Sequence, residues 1–209
     1  MKKRYVFITL VFLFAVAYGI SSMGDTETTT GKVSGKKSVS DLITKSPDEM
    51  LPARSDIPTE FKTDKETDVT EILNVRDGSV ISGLGFDSGK KLTVYKIGDI
   101  MGQFVTDAVE IRFYVYKFSS VEGAEAYYTN IVDYVKELGG YKEMTVPVSP
   151  GTSCFTYIED YGFTAKAGES ICNRKNVVFK TSISATNTWD GIDSYFRDMA
   201  RPFESRIVG

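Results

Sequence analysis

Val109-Glu110-Ile111-Arg112-Phe113-Tyr114-Val115-Tyr116-Lys117-Phe118-Ser119-Ser120-Val121-Glu122-Gly123-Ala124 is the stretch that decides the fold class. Its first ten residues alternate. Val109, Ile111, Phe113 and Val115 lie on one face of a strand, and Glu110, Arg112, Tyr114, Tyr116 and Phe118 on the other. The first face is aliphatic and core-like, whereas the second mixes charge with aromatic rings. Ser119 then predicts a helix N-cap, with Glu122 at the reciprocal capping-box position. Ala124, Tyr127, Tyr128, Ile131, Val135 and Leu138 recur at three and four, giving a single apolar stripe, and Gly139-Gly140 stop the helix.

On both sides the chain reads mainly as strand. Leu92 to Ile97 precedes the junction. Tyr141 to Val146, Cys154 to Ile158, Gly162 to Ala167 and Val177 to Ser184 follow it, separated by Pro150-Gly151, Glu159-Asp160 and Asn173 to Asn176 as turns. Thr188 predicts the cap of a closing helix with the stripe Ile192, Tyr195, Phe196, Met199, Ala200 and Phe203, kinked or interrupted at Pro202. Strands, a helix, several antiparallel strands and a last helix define an α+β fold: an antiparallel sheet layered with two main helices. The helix after Phe118 is expected to cover one sheet face. The closing helix is expected to cover part of the other, taken to be the one carrying Tyr114 and Tyr116.

Toward the N-terminus the composition changes twice. Tyr5 to Ile20 carries no charge and follows Met1-Lys2-Lys3-Arg4. A basic end followed by an apolar run is the pattern of export or anchoring with the basic end left inside. As a helix, sixteen residues rise about 24 Å, short of the roughly 30 Å hydrocarbon core. Extension through Ser21 to Gly24 suits an N-terminal anchor, and Ala15-Val16-Ala17 suits signal cleavage, so residues 1–23 are a signal peptide or a membrane anchor. No Cys occurs in the first thirty residues to carry a lipid. Residues 24–50 are polar enough to form a flexible linker. Residues 51–209 form the extracytoplasmic α+β domain, at the cell membrane or secreted, with Leu51-Pro52 and Pro58 marking its extended entry.

The chain of 209 residues has a net charge of −3. Setting aside Lys2, Lys3 and Arg4 leaves 22 cations against 28 acids, a balance of −6. With no basic cluster in the folded region, this argues against nucleic acid as a partner. There is no histidine, which excludes Ser-His-Asp and Cys-His catalysis, His-ligated zinc and an imidazole switch. Cys154 and Cys172 are the two cysteines, and in an exported chain such a pair reads as a disulfide.

Other motifs fail on spacing. Gly83 to Gly89 lacks the separation of a dinucleotide loop and leads into strand. Asp64 to Asp68 has alternate acids but no glycine at position six or glutamate at twelve of a calcium loop. Ser88-Gly89-Lys90-Lys91 matches Ser-x-x-Lys but lacks the helix that would align both side chains. No catalytic residue, cofactor site or metal site is identified. With 12 Tyr and 13 Phe in the chain, some rings are expected at the surface, notably Tyr114, Tyr116, Tyr157 and Tyr161, which are the candidate partner-binding residues.

Leu51-Pro52 with Asp56-Ile57-Pro58-Thr59-Glu60-Phe61, Val115 to Ala124, and Arg174-Lys175-Asn176-Val177-Val178 together resemble the PsbP/Mog1-like domains of exported prokaryotic proteins. The resemblance covers about residues 51–209. It implies the same α+β layout and an accessory or binding role, with no catalytic residues carried over. The expected function is a membrane-tethered, non-enzymatic binding module for an unknown protein or small molecule. The alternatives are a carboxylate- or cysteine-based envelope enzyme, or a structural subunit of a membrane complex.

Overall fold

A computed structural model of the chain describes residues 42–64, 66–69, 81, 83–97, 99–101, 104–106, 108–161, 165–186, 194, 196 and 203–208. All fall within one compact unit, Ser38–Gly209. The chain enters through a single helical turn, α1 (Pro47–Met50), and a 3-10 turn at Arg54–Asp56. Two short strands, β1 (Lys62–Thr63) and β2 (Thr67–Asp68), precede the long β3 (Phe86–Lys96). A separate ribbon, β4 (Asp99–Met101) with β5 (Phe104–Thr106), leads to β6 (Val109–Phe118) and α2 (Val121–Leu138). Then come β7 (Lys142–Met144), β8 (Ser153–Asp160), β9 (Ala165–Arg174) and β10 (Val177–Thr186).

Every pairing in the main sheet is antiparallel, in the order β1-β3-β6-β10-β9-β8-β7, with β2 also on β3. The α+β layout read from the sequence is therefore present. β6 lies in the middle, and α2 carries the chain from there to the far edge at β7. A meander of four strands then returns to place β10 beside β6. Residues 203–208 are helical, whereas Thr188, Ile192 and Pro202 of the expected closing helix lie outside the described residues.

Both faces of β6 are covered, but by the opposite partners to those expected. Phe203 wedges between Phe113 and Phe179, edge to face at 5.3 and 5.4 Å, so the closing segment covers the aliphatic face. Tyr127 of α2 packs on Tyr116 and Phe118, each at 5.3 Å, so α2 covers the face carrying the tyrosines. The strand period defines two faces without saying which helix takes which.

The start of α2 also differs by one residue. Ser120 is the N-cap, its hydroxyl accepting from the Gly123 N–H at 3.0 Å. Ser119 still belongs to the strand end, its N–H donating to the Gly85 carbonyl at 2.8 Å. Gly139, at φ 64°, ends the helix as expected.

Residues 42–50, expected to be linker, belong to the domain. Met50 is fully buried, and Ile43 packs against the core on the aliphatic face of β6. The buried Asn176 side chain accepts from the Ile43 N–H at 2.7 Å and donates to the Ile43 carbonyl at 3.3 Å and the Phe118 carbonyl at 3.0 Å. Lys117 Nζ donates to the carbonyls of Thr44 and Lys45. Lys45 Nζ in turn donates to the Arg206 carbonyl. Among the described residues no helix is long and apolar enough to cross a membrane, and residues 5–23 lie outside them.

Candidate functional site

Register assembles the candidate site. On the α2 face, residues directly opposite one another form rows across the sheet. One row is Lys91 (β3), Tyr114 (β6), Lys180 (β10), Ile171 (β9) and Phe155 (β8). The next is Thr93, Arg112, Ser182, Glu169 and Tyr157, and the third is Tyr95, Glu110, Ser184, Ala167 and Glu159. Near α2 the rows are apolar and buried. Away from it they become a strip of half-buried charge, hydroxyl and phenol, placed on five adjacent strands.

Glu169 is the hub of the strip. Its carboxylate accepts from the Tyr157 hydroxyl at 2.9 Å and from Lys180 Nζ at 3.2 Å. Lys180 also lies over the Tyr114 ring, 4.7 Å from its centroid, a cation–π contact. The Lys180 side chain is 20% exposed and that of Glu169 23%, so the pair is neither fully buried nor freely solvated. Burial opposes the Lys180 charge, but the Glu169 carboxylate, the Tyr114 phenol and the hydrogen bond to Glu169 outweigh it and raise the lysine above its usual value. Burial first, and Glu169 second, hold the Tyr157 phenol protonated far above its ordinary range. The Tyr161 phenol is raised as well, first by partial burial and then by its hydrogen bond to Glu159.

On β6, Arg112 pairs with Glu110 two positions along the same face. Lys91 is half-buried and is shifted the other way. Burial first, and the Arg112 cation second, lower its affinity for the proton, while Glu110 and Asp64 oppose this.

The sequence candidates divide. Tyr114 lies on the strip, half-buried and stacked on Tyr116 at 6.1 Å. Tyr161 is exposed at the strip's margin. Tyr116 and Tyr157 are 4% and 7% exposed, so the surface rings expected there are core side chains instead. Tyr157 contributes only through its hydroxyl. Glu169, Lys180 and Lys91 were missed, although period 2 along Lys180-Ser182-Ser184 and Glu169-Ile171 would have placed them with Arg112 and Tyr114.

Cys154 and Cys172 are disulfide-bonded, directly opposite across β8 and β9 with Cα atoms 4.1 Å apart. They face the other core, beside Phe179 and Phe203. The bridge therefore lies on the opposite side of the sheet from Tyr157. A cavity beside the bridge, lined by Ser170, Thr181, Phe203 and Glu204, has room for about one water. Glu204 is buried there and accepts from the Ser149 N–H at 2.8 Å. Among the described residues no cluster of carboxylates and cysteines has the makings of a metal site.

The fold of antiparallel sheet and few helices is similar to that in the crystal structure of the extracellular domain of PknH from Mycobacterium tuberculosis. The TM-score is 0.51 at 13% identity, covering 82% of this chain and 95% of that one. At that identity the likeness establishes a shared fold. No family model matches the chain, and no curated protein matches it.

Proposed function

We propose that this chain is an extracytoplasmic, membrane-tethered binding module without catalytic activity of its own. The observation that carries the reading is the Cys154–Cys172 disulfide, set squarely across two neighbouring strands. Disulfides persist in oxidising compartments, and the fold is similar to that of a domain described as extracellular. The apolar run from Tyr5 to Ile20 behind three cations points the same way. So does the resemblance to PsbP/Mog1-like domains, which serve as accessory modules. Binding is favoured over chemistry because Lys180, Tyr157 and Tyr161 are each committed to a carboxylate. A rigid strip of this kind presents groups to a partner with little ordering cost.

Cell fractionation combined with the mass of the mature chain under non-reducing conditions tests the reading. The expected protein is two mass units lighter than its reduced form. It is either retained in membranes with an intact N-terminus or released with a start near Tyr18 to Ile20. Full-length, reduced protein in the cytosol would overturn the assignment.

A further inference from the structure

We propose that the patch of β3 and β6 formed by Lys91 and Arg112 is a seat for an anionic oxygen group, carboxylate or phosphate, of the ligand this module binds. The inference deepens the binding reading above. Lys91 and Lys180 flank Tyr114 in one row, and Arg112 stands in the next between Thr93 and Ser182. Directly opposed residues lie about 5 Å apart and diagonal ones about 7–8 Å. Three cations therefore surround one half-buried tyrosine.

Two of the three are compensated within the protein. Arg112 has Glu110 and Lys180 has Glu169. The Lys91 ammonium makes no hydrogen bond or ion pair with the described residues; its side chain is partly withdrawn from water and faces the Arg112 cation, and the attraction of Glu110 and Asp64 is the weaker influence on it. A charge withdrawn from water with no direct partner is unfavourable, and a like charge beside it adds to the cost, which Glu110 and Asp64 offset only in part. An incoming anion relieves both at once. The half-exposed hydroxyls of Thr93 and Ser182 flank Arg112 in the same row and supply further donors. The half-exposed rings of Tyr95 and Tyr114 supply flat surface for whatever carries the anion. Lys91 could serve only to lay its stem over Tyr114, but in that case removing the ammonium would leave anion binding unchanged.

The test is an NMR titration of the full extracytoplasmic chain with the disulfide intact, using inorganic phosphate and acetate at constant ionic strength with chloride as reference. The lysine ε-methylene signals and the amides of 91–93 and 110–114 are followed. Saturable shifts at Lys91 and Arg112, with the Lys91 pKa rising as the seat fills, are expected. Phosphate alone acting would assign a phosphate, and acetate acting as well would assign a carboxylate. Lys91→Met keeps the stem and should weaken binding by about tenfold or more while leaving thermal stability unchanged or raised. No saturable shift with either probe, equal shifts in Lys91→Met, or clear destabilisation of Lys91→Met would each overturn the proposal. Such a failure would leave the fractionation result, and with it the extracytoplasmic reading, untouched.

Discussion

Tyr157→Phe should destabilise the domain at neutral pH and stabilise it in strong alkali. The ring is buried, so phenylalanine fills the same space and only the hydroxyl is lost. At pH 8 that removes a hydrogen bond to the Glu169 carboxylate, worth about 2 kcal/mol for a charged acceptor. In the unfolded chain the phenol titrates near pH 10. In the folded protein its pKa is raised, by burial and then by Glu169, so the native state keeps a proton that the unfolded state gives up. Stability conferred on the wild type therefore falls as pH rises above about 10, by about 1.4 kcal/mol per pH unit for this one group. The variant lacks that term. The 2 kcal/mol deficit at pH 8 should shrink from pH 10 upward and vanish near about pH 11.5, beyond which the variant is the more stable. Urea denaturation of both proteins in parallel from pH 8 to 12, followed by near-ultraviolet circular dichroism, measures the difference while other titrations cancel. A difference that stays constant across the range would refute the claim that the fold holds this phenol neutral.

Three further outcomes are expected. Cys154→Ser and Cys172→Ser should each cost about 3 kcal/mol in chemical denaturation, with the double variant no worse than either, because both remove one loop closure; additive losses would mean separate packing roles. Gly123→Ala should lower the melting temperature despite alanine's better helix propensity. The new Cβ would run into the Leu84 carbonyl oxygen, a backbone atom that cannot swing aside, so the cost falls toward the upper end of the about 1–3 kcal/mol usual for overpacking and exceeds a propensity gain of about 1 kcal/mol. Asn176→Ala should cost about 2–3 kcal/mol and accelerate amide exchange at Ile43, whose N–H donates to that side chain; unchanged exchange at Ile43 would show that the entering strap, residues 42–50, is fastened elsewhere.

The strand-to-helix junction was legible because alternation in Val109 to Phe118 and the stripe from Ala124 are both local patterns. The disulfide was legible because two cysteines on successive antiparallel strands have few other fates. The first half of β3 was hidden by its one glycine. Gly89 reads as a turn, yet it sits in a strand where the Val69 side chain and the Val115 carbonyl leave no room for a Cβ. The strap at 42–50 was hidden because its anchoring depends on Asn176, 133 positions from Ile43. The strip was only half visible. Glu110, Arg112 and Tyr114 show on one strand, but Glu169 and Lys180 meet them only once β9 and β10 are in register. Which helix covers which face was decided by where Phe203 and Tyr127 fit, which alternation along β6 does not reveal.

The Asn176 amide has a mechanical consequence. By accepting from and donating to Ile43 it imitates a peptide group, joining the incoming chain to the ends of β6 and β10. A pull arriving from ahead of Leu42 is thus delivered to the central strands rather than to a loop. Asn176, holding Ile43, takes that pull first, and the Lys117 contacts to Thr44 and Lys45 and the Lys45 contact to Arg206 stand behind it. Further along, the bridge between Cys154 and Cys172 makes the segment it encloses inextensible. Tension on the entering segment is therefore met first by a side-chain amide anchored beside the central strands.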